Sequence, residues 1–139
     1  MVVLITGIMA TVAAPKLAVA LQQFRVMNAA KRIAADLNRA QLAAYNSSLT
    51  KTVNFDFTQN QLAIPAFTTL NGGSGTYVLK LNADPFSSTF VSVWGQSSNQ
   101  SLTFNGYGVP NQGGLIVIAC GSVQKTIQVD ASTGKAVIQ

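Results

Sequence analysis

Hydrophobic and polar positions along this chain follow one period up to residue 45 and another beyond it. Residues 1–14, MVVLITGIMATVAA, carry no charge and offer no polar face; Pro15 and Lys16 follow. From Lys16 onward the pattern is amphipathic. Val26, Ala30, Ile33, Leu37, Ala40 and Ala44 recur at spacings of four and three, which marks one apolar stripe of a helix. Residues 1–45 hold one Gly and one Pro among many strong helix formers, so turn chemistry is nearly absent. Tyr45-Asn46-Ser47-Ser48 then supplies residues that prefer turns and caps. The expectation is one long helix, apolar all round at its start and amphipathic afterwards.

The remainder changes to strand spacing. TVNFDF alternates Val53, Phe55 and Phe57 with Asn54 and Asp56. TQNQ reads as a turn, and LAI closes a hairpin before Pro65. NGGSG is a loop or flexible tip. TYVLKLN, TFVSVW, SLTFN, GLIVIACG, KTIQVD and KAVIQ follow, each bounded by Gly, Asn, Ser or Pro. GLIVIA shows no alternation and is expected to be covered on both faces. DASTGK reads as a short hairpin connection with Gly134 at a position of positive φ. The summary expectation is an α+β protein: seven short strands in antiparallel sheets with a long helix packed on them.

The chain has 139 residues, room for one domain with a real core. Hydrophobic residues make up 48% and charged residues only 9%, far below the usual quarter of a soluble domain. The net charge of +5 is confined to one region. Lys16, Arg25, Lys31, Arg32, Arg39 and Lys51 face one acid, Asp36, in the first third; beyond Lys51, lysines and aspartates balance. Arg25, Arg32 and Arg39 recur every seven residues, and Asp36 sits four after Arg32 and three before Arg39. That spacing supports the helix by a few tenths of a kcal/mol.

Candidate chemistry is sparse. The chain has no Glu and no His, which removes the common general base and the common metal ligand. Its four Asp share no motif, and GGSG lacks the Lys and helix start of a phosphate-binding loop. Enzymatic function, a cofactor and a metal are therefore not expected. Cys120 stands alone in an apolar strand, which rules out an internal disulfide. It reads as a buried, inert thiol, with a reactive or cross-linking thiol as the sharper alternative. Trp94 and the phenylalanines fall mostly at strand positions and read as core. Asn46-Ser47-Ser48 and Asn99-Gln100-Ser101 match the glycosylation sequon.

Residues 1–45, MVVLITGIMATVAAPKLAVALQQFRVMNAAKRIAADLNRAQLAAY, resemble the N-terminal helix of type IV pilins and type II secretion pseudopilins. That family carries a glycine and, eight residues on, a proline within its apolar helix, as Gly7 and Pro15 stand here. An amphipathic half follows and packs on a β domain. Residues 102–139 are similar to the ending of the GspH/FimT group: strand, glycine turn, apolar strand, polar turn, strand, T-G-basic turn and final strand. The resemblance spans essentially the whole chain. The family's processing glycine, the phenylalanine after it and the early glutamate have no counterpart, so its N-terminal methylation and glutamate contact fall on no residue here. Met1 aligns about six or seven residues into a mature pilin, and such a segment would extend the apolar run to about 20 residues, a bilayer's span. The resemblance thus implies part of a longer protein or a shortened one.

What the resemblance implies is a structural subunit of a pilus or pseudopilus, assembled through its N-terminal helix. Residues 1–23 would be the membrane and filament-core helix, 24–46 its amphipathic half and 47–139 a β-rich globular domain. Filament or membrane contacts would fall on Val2, Val3, Leu4, Ile5, Gly7, Ile8, Met9, Val12, Pro15, Leu17, Leu21 and Phe24. Arg25, Arg32, Asp36 and Arg39 would form a polar face, either solvated or paired with a neighbouring subunit, and Asn46 and Asn99 would be glycosylation candidates. Implied partners are further copies in a helical homopolymer, or other pilins. The implied location is the bacterial inner membrane before assembly and an extracellular filament or periplasmic pseudopilus after it.

Two readings of other classes compete. A DNA-binding pilus component for DNA uptake rests on the Arg-rich helix, but the β domain has no net charge. A membrane-anchored binding domain is the third; Gly7 and Pro15 favour the pilin, because a plain anchor has no use for either. Basic residues follow the apolar run, which alone would place that side in the cytoplasm, opposite to a pilin.

Overall fold

The structure, a computed structural model, describes residues 2–68 and 74–139, with side chains omitted for 2–13, 66, 68 and 74. One helix, α1 (Val2–Ser47), runs unbroken through Gly7 and Pro15. It stops where the Ser47 hydroxyl donates to the Ala43 carbonyl and Ser48 takes a positive φ of 52°. Eight strands follow among the described residues: β1 (Lys51–Asp56), β2 (Gln61–Thr68), β3 (Ser74–Lys80), β4 (Thr89–Val93), β5 (Gln100–Phe104), β6 (Gly114–Cys120), β7 (Val123–Val129) and β8 (Ala136–Ile138).

These form two four-stranded antiparallel sheets, in the orders β3-β2-β1-β5 and β4-β6-β7-β8. The stripe read from spacing is the face that α1 buries. Val26, Ala30, Ile33, Leu37, Ala40 and Ala44 are all fully buried against both sheets. Small residues on that stripe let the helix lie close to the strands. The sheets meet each other through aromatic rings. Phe55 of β1 meets Phe90 of β4 edge to face, with centroids 5.7 Å apart, and Trp94 likewise at 6.3 Å. Helix and sheets share one core, and the architecture is α+β as the period change implied.

Three strand expectations need correction. Among the described residues there are eight strands, one for each of the eight segments named above although the expectation counted seven, and β2 does not stop at Pro65. It continues to Thr68 by slipping register between Ile64 and Phe67, a bulge that accommodates a residue lacking a backbone donor. The apolar β6 is not covered on both faces. Ile116, Ile118 and Cys120 are buried under α1, while Leu115 on the opposite face is 47% exposed. Among the described residues only the helix side of this sheet has a layer packed on it, and the pleat sends alternate residues outward. Of the expected NGGSG loop, residues 71–73 lie outside the described residues, and Ser74 and Gly75 begin β3. The DASTGK connection is a turn with Gly134 at φ 75°, its N–H donating to the Asp130 carbonyl at 2.8 Å.

The candidate assembly helix and its clasp

The sheets cover only part of α1. Residues 14–21 are all exposed, more than two helical turns with no covered face. The β6–β7 turn marks where cover begins: the Ser122 hydroxyl donates to the Gln22 side-chain oxygen at 3.3 Å. Leu17 is 73% exposed and Phe24 65%, and Leu21 lies on the same side between them. Pro15 is also exposed. Val2, Val3, Leu4, Ile5, Gly7, Ile8, Met9 and Val12 lie on the helix backbone but outside the residues whose side chains are described. Among the described residues, no helix is long and apolar enough to cross a membrane.

Further along α1, the charged residues expected on one polar face are engaged within the chain. Asp36 is 4% exposed. It accepts from the Tyr77 hydroxyl at 2.9 Å and pairs with Arg32 one turn earlier at 3.3 Å. Arg32 also donates to the Tyr77 oxygen from Nη2 at 2.6 Å. The Arg39 guanidinium lies 4.7 Å from the centre of the Phe67 ring, a cation–π contact. Phe67 and Tyr77 sit on paired strands with their rings 6.3 Å apart. Two arginines seven residues apart thus clasp the β2–β3 hairpin through its aromatic rings. Arg25 is half-buried.

Burial raises the Asp36 pKa above the ordinary carboxylate value, outweighing the Tyr77 hydrogen bond and the Arg32 and Arg39 charges that lower it. Tyr77 is likewise raised, first by burial.

Two helix residues that the sequence reading passed over fasten the far end of the second sheet. Asn38 donates from Nδ2 to the Ala136 carbonyl at 3.2 Å and accepts from the Ala136 N–H at 3.0 Å, as a neighbouring strand would. Gln41 donates to the carbonyls of Gly108 and Thr133. An Asn and a Gln amid the apolar stripe were the available signal. Asn46 and Asn99 are both exposed, and Asn99 Oδ1 accepts from the Phe57 N–H. Cys120 is buried and unbonded. No three potential metal ligands converge among the described residues.

No protein-family model and no curated protein sequence matches the chain. Its backbone is similar to the crystal structure of the type IV minor pilin FimU of Pseudomonas aeruginosa strain PAO1. The TM-score is 0.58, over 84% of this chain and 90% of that one, at 15% sequence identity. The chain has a type IV pilin fold. Residues 14–21 precede the covered part of α1, and the clasp lies ten residues and more beyond Gln22, where cover begins.

Proposed function

We propose that this chain is a subunit of a type IV pilus-like filament, assembled through its N-terminal helix. The observation that carries the reading is the uncovered stretch 14–21 with its neighbour Phe24, apolar side chains left bare on a pilin fold. A helix apolar on every side suits both a bilayer and the dry centre of a helical bundle, so hydrophobicity alone hardly separates the two states. Gly7 and the alanines favour close helix packing in the bundle. Residues 1–23 then serve membrane and filament, and residues 24–139 form the outward domain. Other pilins or further copies are the partners, with the inner membrane as the store before assembly.

The DNA-uptake reading is weaker, because Arg32 and Arg39 are turned onto Tyr77 and Phe67 rather than held as an open basic stripe. Electron microscopy of the protein purified from its native host tests the proposal. Filaments of regular diameter support it; a chain that stays monomeric with its native partners present contradicts it.

A further inference from the structure

The face of the first sheet turned away from the helix holds a polar groove. Val53 and Phe55 of β1 point into the core, so Asn54 and Asp56 between them point outward. Across the ladder, Asn54 lies opposite Ala63 of β2 and Ser101 of β5. Two small side chains flanking the central amide leave a low floor. Its rim comes from the ends of β1 and β5 and the segment before β6, and the open groove has a volume of about 500 Å³.

The rim amides are fixed. Asn99 Oδ1 accepts from the Phe57 N–H at 2.8 Å, and Asn111 Oδ1 accepts from the Thr103 N–H at 2.9 Å. With each carbonyl oxygen committed, the Nδ2 group is the end left to donate, in an orientation already set. Asp56 has one carboxylate oxygen engaged by the Gln59 N–H at 3.0 Å, which leaves the other to accept. Fixed donors and a fixed acceptor in one open groove match a ligand whose groups both donate and accept, and a hydroxyl does both.

The geometry points to this groove as a binding site for a neutral saccharide chain. Charge argues against polyanions: among the described residues no Lys or Arg lines the groove, and the one charged residue there is Asp56. Topology argues against a peptide strand: β1 and β2 are interior, and on the edge strand β5 the Ser101 carbonyl is taken by the Gln112 side chain and the Thr103 N–H and carbonyl by Asn111. The site lies away from α1 and stands whether or not the chain polymerises.

The test is a printed array of neutral, sialylated and sulfated oligosaccharides probed with the full chain in detergent, beside Ala63→Trp and Asn54→Leu. Ala63→Trp fills the floor, Asn54→Leu removes its central amide, and circular dichroism checks both folds. The expected result is retention on one or more neutral glycans, weakened by about tenfold or more in each folded variant, as loss of a hydrogen-bonded contact implies. Retention on no glycan, retention on anionic glycans alone, or undiminished binding by both folded variants would overturn the proposal.

Discussion

The Tyr77 hydroxyl on β3 donates to the Asp36 carboxylate on α1 at 2.9 Å, joining the outermost strand of one sheet to the helix across the domain. The bond explains how a carboxylate 4% exposed is tolerated: Arg32 and Tyr77 both meet it. Burial of this carboxylate sets a pH dependence. The folded state holds the Asp36 proton more tightly than the unfolded chain does, since its folded pKa is raised. The stability that Asp36 contributes is present below the ordinary carboxylate pKa and is lost as pH rises through the folded value. Asp130 acts in the opposite sense. The Ser132 hydroxyl and the backbone N–H groups of Thr133 and Ser132 lower it to about 2, so its contribution is present above the ordinary carboxylate value and lost as pH falls towards that point. Urea midpoints measured from about pH 2 to 7 separate the two. Asp36→Asn should remove a decline on the rising side, and Asp130→Asn should remove a loss on the acid side. Identical pH profiles for wild type and Asp36→Asn would contradict the assignment.

Asn38 completes the edge of β8 through a donor and an acceptor to one residue, Ala136. Asn38→Leu keeps the volume and strips both bonds, leaving a half-buried N–H and C=O without their partner. The expected cost is about 1–3 kcal/mol. Hydrogen exchange at the Ala136 amide should accelerate beyond what global destabilisation explains; unchanged protection there would remove the strand-like role from Asn38.

Cys120 lies on the buried face of β6. Cys120→Ala should cost about 1–2 kcal/mol, the loss of one small buried group. A thiol reagent on the folded protein should react only as fast as the domain opens, and immediate stoichiometric labelling would contradict this placement.

In the isolated chain α1 is continuous through Gly7 and Pro15. Gly in a helix interior costs about 1 kcal/mol, and Pro removes the bond to the carbonyl four residues earlier. Packing in a filament would act on this weak segment. The expected outcome is an unwound or bent stretch between Gly7 and Pro15 in a filament reconstruction, against the continuous helix of the monomer. A straight, fully hydrogen-bonded helix in the filament would refute it.

The long helix and its buried stripe were legible because a period of 3.6 leaves a mark that no other element makes, and all six stripe residues fell on the core. The strands were legible from alternation and turn residues. The misreading of β6 has a plain cause: Leu115 is apolar yet outward, and an apolar run cannot say which of its faces has a neighbour. The clasp was half legible. Heptad spacing put Arg25, Arg32 and Arg39 on one face, but their aromatic partners sit on a hairpin whose distance in sequence hides the contact. Asn38 and Gln41 left only the signal of amides amid an apolar stripe, and an amide on a helix looks like a solvated residue until the opposite strand is seen.

Under the proposed function, residues 1–23 drive assembly while the rest of the chain folds alone. Removing residues 1–23 tests it most directly, with circular dichroism and sedimentation of the truncated chain beside the full-length protein. The retained stripe from Val26 to Ala44 still covers the sheets, and each buried CH₂ contributes about 0.8 kcal/mol. The expected result is a folded, soluble monomer that no longer joins filaments. A truncated chain that unfolds, or one that still polymerises, would contradict it.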